Sequence, residues 1–562
     1  MKKRILSLLL CLLIAALLLS ACDMGIADAG TSGTKTTTKV TTPSGTPSTG
    51  TSPGYRPDGD HADADNDGIC DDCGISVLLS VDFFAINDLH GKFDDAEGQE
   101  GVDELTTYLR RAQENGATVL LSSGDMWQGS AESNLTKGML VTDWMSQLGF
   151  ASMTLGNHEF DWGTTYIQKN GEMASFPLLA INVYDKETDR PVDFCAPSVM
   201  VEKGGVKIGI IGAIGDCLSS ISGEKAEGLT FKVGGDLTAL VKAESVRLRE
   251  AGADFIVYSL HDGYEDSVSG TKTVKDADIA SYYDISLSRE GYVDLVFEGH
   301  THQRYVLRDT SGIYHLQSGG ENKGISHAVA SINFANGRHS VTRAEFVSTG
   351  SYASLPDDPL VDSLLEKYAD AISKANRVVG TNSSYMNSNS LKALTARLYY
   401  ENGAKKWGEQ YDIVLGGGYL SVRNPYSLPE GEVTYGDLMS LLPFDNTVVL
   451  CSLSGAKLRD RFIETDNSNY FLYYGSYGEQ VKNNIQSNAT YYIVTDTYNA
   501  YYAANGLTIV DIYAEEVYAR DMVADWLGGT RTQSAYAEAT AGITRVVFVL
   551  PQMLSESIEK RF

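Results

Sequence analysis

Basic residues are scarce in this chain: 45 Lys and Arg stand against 73 Asp and Glu, a formal net charge of −28. No basic stripe is present to neutralise a phosphate backbone, which argues against a nucleic-acid polymer as partner. A small anionic substrate would need metal ions or arginines placed locally. Cysteine is sparse too, at seven in 562 residues. Cys11 and Cys22 belong to an N-terminal apolar segment, and Cys70 and Cys73 form a close pair. Only Cys195, Cys217 and Cys451 remain for the large domains, so this is not a disulfide scaffold. The one long apolar run, Ile5 to Leu19, is too short to span a bilayer as a permanent helix. What remains is ordinary globular composition, 43% hydrophobic and 21% charged. The chain is too long for a single core, so at least two domains are expected.

Lys2, Lys3 and Arg4 precede the apolar run, and the whole of residues 1–22 reads as a signal peptide. Its end, Leu19-Ser20-Ala21-Cys22, resembles the bacterial lipobox. That resemblance implies lipidation of Cys22 and an extracytoplasmic protein held on the bacterial cell membrane through the anchor only. Cleavage near Ala21 and release, secreted or periplasmic, is the alternative. Residues 23–57 are dominated by Thr, Ser, Gly and Pro and read as a disordered spacer.

Residues 58–76 are rich in Asp and Cys. Asp63, Asp65 and Asp67 alternate before Gly68, resembling the first half of a calcium loop, but Gly74 stands where the loop's closing glutamate belongs. Calcium binding and a solvated acidic linker are both open readings. Cys70 and Cys73 suit a small disulfide or half a zinc site.

From residue 77 to about 350, short apolar runs alternate with helix-length segments. Strands are expected at Val81–Ile86, Thr118–Ser122, Ser152–Leu155, Leu178–Val183, Val206–Ile214, Asp254–Leu260, Val293–Phe297, Ile313–Gln317 and His327–Phe334. Helices are expected at Asp103–Asn115 and Asp236–Ala251. This alternation predicts a layered α/β domain. Residues 351–378 form a linker in which 357–376 read as one helix, with Leu360, Leu364, Tyr368 and Ile372 on one face. A smaller, tyrosine-rich α+β domain is expected over 379–562.

Five stretches, each directly after an expected strand, gather the metal-ligand residue types. They are "AINDLHG" with Asp88 and His90, "LLSSGDMWQG" with Asp125, "LGNHEFD" with Asn157 and His158, "VYSLHDG" with His261, and "FEGHTHQ" with His300 and His302. Five of the nine histidines lie in these stretches. Each alone has a structural explanation, such as a helix cap; together they suit one edge of a sheet, where ligands collect.

In that order, DxH, GD, GNHE, a lone histidine and GHxH resemble the calcineurin-like metallophosphoesterase superfamily, and "GNHEFDWG" resembles its two-domain bacterial 5'-nucleotidase branch. The resemblance implies a metallophosphoesterase sandwich over 77–350 followed by a 5'-nucleotidase C-terminal domain that binds substrate. It implies one ion on Asp88, His90 and His302, a second on Asn157, His261 and His300, and Asp125 bridging both. Mixed carboxylate, amide and imidazole donors suit Zn, Mn, Fe or Co. Two ions about 3.5–4 Å apart can hold a hydroxide between them and clamp the oxygens of a phosphoryl transfer. By the same resemblance His158 faces the phosphate and Asp161 orients its ring; Glu159, outside that carry-over, reads as support for the loop.

The resemblance continues more loosely beyond residue 379. "GGGYLSVR" offers Arg423, shifted from the family's position, and "LPFDNTVV" offers Phe444 as one ring of a base-stacking pair, with Tyr498 of "TDTYNAYY" as the other. The family's GGDGY motif, which contacts the sugar, is missing; the chain reads "AANGLTIVDIY". The expected function is hydrolysis of nucleotide phosphomonoesters to nucleoside and phosphate. A 2',3'-cyclic phosphodiesterase or nucleotide-sugar hydrolase on the same site is an alternative, as is a surface nucleotide-binding protein without turnover. The sequence assigns no oligomeric state.

Overall fold

The computed structural model describes residues 59–93, 101–423, 427–475, 480–529 and 543–545. The signal segment, Cys22 and the spacer over 23–57 lie outside the described residues. Among those described, no helix is long and apolar enough to cross a membrane.

The first domain is built on two sheets. Its strands are β1 (Leu78–Ile86), β2 (Thr118–Ser122), β3 (Ser152–Thr154), β4 (Leu178–Leu179), β5 (Ser198–Lys203), β6 (Val206–Ile214), β7 (Phe255–His261), β8 (Thr271–Thr273), β9 (Leu295–Glu298), β10 (Arg304–Arg308), β11 (Tyr314–Ser318), β12 (Gly324–Asn333) and β13 (His339–Ser348). One sheet runs β13-β12-β1-β2-β3-β4, the other β8-β10-β11-β9-β7-β6-β5. Val81, Phe83 and Ala85 of the first sheet share a buried cluster with Ile208, Ile210, Val257 and Phe297 of the second, so the sheets pack face to face. Helix α1 (Asp103–Asn115) buries Leu105 and Leu109 on the outer side of the first sheet, and α2 (Ala131–Thr136) and α3 (Met139–Leu148) follow. Helix α4 (Gly235–Glu250) buries Leu237, Val241 and Leu248 outside the second. All seven residues of β7 are buried, because a central parallel strand is covered on both faces and reads as a continuous apolar run.

Two expectations need correction. The stretch expected as one strand over 178–183 stops at Leu179 and resumes as a separate strand, Val183–Asp185, in a small three-stranded sheet. Between them Ile181 donates its N–H to Gly212 O, and Asn182 bonds Ile214 in both directions, so these residues serve the neighbouring sheet. The helix expected over 357–376 is two, α5 (Pro359–Lys367) and α6 (Ala369–Ile372). The break falls at Tyr368, whose hydroxyl lies 3.3 Å from Asp143 Oδ2 and 3.4 Å from Met139 O on α3, beside the Lys367–Asp143 ion pair. Those ties hold Tyr368 at φ −99°, ψ 10°, off helical geometry. Asp358 caps α5, accepting the N–H of Leu360 at 2.9 Å.

In the second domain, α7 (Ser388–Trp407) and α9 (Ala519–Gly528) enclose a core with a mixed sheet, and α8 (Tyr435–Leu441) lies between them in sequence. The sheet's strands are β14 (Ile413–Tyr419), β15 (Val448–Ser454), β16 (Tyr470–Tyr473), β17 (Thr490–Asp496), β18 (Thr508–Ile512) and β19 (Ile543–Arg545), in the order β18-β15-β17-β14-β16-β19. A small apolar cluster of Ala131, Ala375 and Met439 joins the two domains.

Candidate metal centre and substrate pocket

Strands β1, β2 and β3 run parallel, as do β6, β7 and β9, so their carboxyl ends face one way within each sheet. The five motifs leave from those ends. Asp88 and His90 follow β1, Asp125 follows β2, Asn157 and His158 follow β3, His261 closes β7, and His300 and His302 follow β9. Asp88, His90, Asp125, His300 and His302 all adopt left-handed backbone, with φ from 51° to 69°. Non-glycine residues rarely do so, and the cost is tolerated where a site requires it. Two glycines make the approach possible. A Cβ on Gly156 would lie 2.3 Å from Asp125 Oδ1, and one on Gly124, at φ 93°, 2.7 Å from His261 Nδ1.

The structure brings all seven expected ligands together. Candidate donor atoms of Asp88, His90 and His302 lie within 4.8 Å of one another, as do those of Asp88, Asp125 and His261. His90 Nε2 is 2.9 Å from His302 Nε2, and Asn157 Oδ1 is 2.9 Å from His300 Nδ1 and 3.1 Å from His261 Nε2. Asp125 Oδ2 lies 3.3 Å from His261 Nε2.

The donor chemistry fits divalent ions. His90 Nδ1 faces Gln128 O at 2.8 Å and His261 Nδ1 faces Ser123 O at 2.7 Å, so each donates there and a neutral ring turns a lone pair inward. For His261 that lone pair would meet the carbonyl oxygen of Asn157 at 3.1 Å, a pairing that needs either a proton on Nε2 or a cation between the two atoms. Electron-rich atoms converging in this way are satisfied by a cation, and the mixed N/O set is one that Zn, Mn, Fe or Co accepts. Electrostatics carries the same message. Burial and the nearby Asp125 charge push the Asp88 carboxyl up to about 7. Burial, with Arg423 and His302 beside it, drives the His90 imidazole well below its ordinary value. Burial also opposes a charged His261, yet Asp125 and Asp88 raise it to about 10, taking the place of a cation among carboxylates.

Glu159 is fully buried, and its carboxylate accepts the N–H groups of Gly156 at 2.7 Å, Asp125 at 2.8 Å and Met126 at 2.9 Å. It therefore ties the Asp125 loop to the Asn157 loop. His158 donates its backbone N–H to Asp125 Oδ1 at 2.8 Å, and its Nδ1 meets Asp161 Oδ2 at 2.8 Å. Its Nε2 accepts from the guanidinium of Arg423, a residue of the second domain. Since arginine only donates, this His158 is neutral with its proton on Nδ1.

A cavity of about 280 Å³ lies where the domains meet, lined by His158, Asp161, Arg423, Phe444 and Tyr498 among others. The Arg423 guanidinium sits 5.4 Å from the Phe444 ring centroid, and the Phe444 and His158 rings are 6.0 Å apart. Tyr498 lies against Tyr419, centroids 5.8 Å apart. Lys392, Tyr419, Asp496 and Ser222 also line the cavity and escaped sequence reasoning, because neither a repeated motif nor a strand end marks them. Cys217, grouped with His261 and His300, was missed as well; burial, with Asp125 nearby, pushes its thiol well above the ordinary value, so it stays protonated.

Away from this centre, Asp63, Asp65 and Asp67 also converge, although Asp63 is buried and accepts from Gly68, Asp67 and Asn333. Cys70 and Cys73 are free thiols rather than a disulfide.

A two-sheet sandwich with Asp, Asn and His donors at its strand ends defines a di-metal phosphoesterase centre. Residues 81–304 match the family model described as calcineurin-like phosphoesterase, and residues 404–511 match that of the 5'-nucleotidase C-terminal domain. The chain belongs to the calcineurin-like phosphoesterases, in the two-domain form of the 5'-nucleotidases. Protein UshA of Yersinia enterocolitica is 26% identical over 412 residues, 66% of this chain and 72% of that protein. A 5'-nucleotidase of Vibrio vulnificus is 25% identical, covering 66% and 73%. The structure of a putative 5'-nucleotidase from Staphylococcus aureus superposes with a TM-score of 0.61 at 18% identity, over 83% of this chain and 99% of that one, a likeness of fold.

Proposed function

We propose that this protein is a metal-dependent 5'-nucleotidase that releases phosphate from nucleotide phosphomonoesters. The observation that carries the reading is that His158 borders both the seven-donor cluster and the aromatic cavity, its ring 5.3 Å from that of His90 and 6.0 Å from that of Phe444. A phosphate beside the donors thus leaves its nucleoside within reach of the rings.

Asp88, His90 and His302 would hold one ion, Asn157, His261 and His300 the other, with Asp125 between them. Once bound, the ions supply Lewis-acid charge to the phosphoryl group and make water nucleophilic at neutral pH. Arg423 exchanges His158 for the phosphate, its planar fork matching two phosphoryl oxygens. Once free, His158 Nε2 takes a proton from solvent water and gives it to the departing 5'-oxygen, and Asp161 on Nδ1 stabilises the imidazolium formed in between. Phe444 and Tyr498 flank the base. Without the family's sugar-binding motif, the rest of the nucleoside would meet other polar groups of the cavity, among them Asp496, Lys392 and the buried Ser222 hydroxyl, which has no hydrogen-bond partner among the described residues.

Two finer parts of the proposal concern the N-terminal region. Lipid on Cys22 and an extracytoplasmic location are supported by the sequence of residues 1–22, and calcium on Asp63, Asp65 and Asp67 by the convergence of their carboxylates. The test of the main reading is a phosphate-release screen over nucleoside monophosphates, a cyclic nucleotide and a nucleotide sugar, with Mn, Zn, Co and Mg. AMP-type monoesters should be preferred. His158→Ala should keep both metals and lose most of kcat, whereas Asp125→Ala should lose metal by elemental analysis. No turnover of any phosphoester with any of these metals would overturn the reading.

A further inference from the structure

We propose that His61, Cys70 and Cys73 form a third metal site, for a zinc-class divalent ion, sharing no residue with the catalytic centre. Candidate ligand atoms of the three lie within 4.8 Å of one another, with Cys73 Sγ 3.5 Å from His61 Nδ1. Both cysteines are free thiols. The local backbone explains the convergence. Gly74 donates its N–H to Cys70 O and Cys70 donates to Ile75 O, each at 2.8 Å, which closes a tight turn carrying the two thiols. Asp71 donates its N–H to Ala62 O at 2.8 Å, bringing the segment before the Asp-rich loop, and His61 with it, against that turn. Ile69 and Ser76 pair as an antiparallel bridge at its base.

The imidazole decides between a metal and a disulfide. A Cys70–Cys73 disulfide would use two of the three groups and leave His61 with no task. His61 Nε2 is buried with no hydrogen-bond partner among the described residues, and the ring is held edge-on against Phe334, centroids 5.5 Å apart at 85°. A soft-to-borderline cation employs all three side chains at once. Calcium and magnesium prefer oxygen and would not choose two sulfurs. Cys70 is buried and Cys73 exposed, so a fourth position opens to solvent on the Cys73 side.

The site has a structural consequence. Asn333 donates to Asp63 at 2.6 Å, Asn336 donates to Asp63 O at 3.3 Å, and Phe334 donates its N–H to Val77 O at 3.1 Å. The short module is thus seated on the turn between β12 and β13 and leads straight into β1, which delivers Asp88 and His90. A bound ion would clamp the point where the spacer ends and the catalytic sheet begins.

The test uses the full chain, purified in detergent and loaded with zinc, compared with a Cys70→Ser/Cys73→Ser variant. Elemental analysis should find one equivalent of zinc fewer in the variant, with phosphate release unchanged. Cobalt substitution should give a thiolate-to-metal charge-transfer band that the variant lacks and His61→Ala weakens, since no expected catalytic ligand is a thiolate. Zinc should also protect both thiols from alkylation until a chelator is added. Equal zinc content in the two proteins, equal alkylation with and without zinc, or a Cys70–Cys73 disulfide in zinc-loaded protein would each overturn the proposal.

Discussion

Single residues in this protein divide between those whose chemistry is visible in the sequence and those whose role is set by burial. The aspartates and histidines expected as ligands stood out in the sequence because rare residue types recur at strand ends in a fixed order, and the fold brings their donor atoms together. Glu159 stands in the same motif, but only the fold shows that its carboxylate gathers four backbone N–H groups, those of Asp125, Met126, Trp127 and Gly156. His315 is a second case, with nothing in its sequence context to single it out. It is buried between Glu298, 2.7 Å from Nδ1, and Asp309, 3.4 Å from Nε2. Burial opposes its charge, but the two carboxylates prevail and raise it from 6.5 to about 9. Because the folded value lies above the unfolded one, the stabilisation is complete below pH 6.5 and is lost as pH rises through about 9. His315→Gln should therefore show its largest loss of melting temperature below pH 6.5, shrinking above pH 9. A deficit that does not change with pH would mean that His315 is neutral in the folded protein.

Among the elements, central strands were legible because burial on both faces leaves an unbroken apolar run. Thr118–Ser122 and Val206–Ile214 were located to the residue. The break in the linker helix was not legible, since the apolar spacing continues through Tyr368 and only its ties to α3 interrupt it. Nor was the contact between α2 and the loop after α8. Lys137, just past α2, pairs with Asp445, which also pairs with Arg520. Arg520 in turn donates to the carbonyls of Leu442, Pro443 and Phe444 at 3.2–3.3 Å. Lys137 thus acts through two other side chains on the position of Phe444, across a sequence gap that no local pattern bridges. Lys137→Ala should raise KM for a nucleotide about tenfold, roughly 1.4 kcal/mol, while kcat changes little and Lys137→Arg restores much of the loss. Reduced kcat at unchanged KM would place Lys137 in the chemistry instead.

For the whole molecule, charge and chemistry pull in opposite directions. A net charge of −28 repels an anionic substrate at long range, while Arg423 and the bound ions attract it only at close quarters. Screening should therefore help: kcat/KM for a nucleoside monophosphate is expected to rise as salt increases from about 10 mM to about 100 mM, where the Debye length shrinks from about 30 Å to about 10 Å. A steady fall over that range would mean that the local cations dominate the approach. The division into two domains was legible from length and the change of texture after the linker. The way His158 and Arg423 meet was not, because the residues that complete the cavity are separated by 265 positions in sequence.

The left-handed backbone at Asp88, His90, Asp125, His300 and His302 makes the ions part of the protein's thermodynamics as well as its chemistry. Each such residue costs on the order of 1–3 kcal/mol that the ion-free fold must offset from elsewhere. A ligand that binds only the folded state stabilises it in proportion to the logarithm of its concentration. The melting temperature should then climb with free Mn or Zn and drop on chelation, without any substrate present. A thermal shift that ignores metal concentration would show that the folded state binds no ion over that range. Otherwise the unfolding transition becomes a meter of metal supply: in a metal-poor environment this protein would lose its resistance to heat and proteolysis together with its activity.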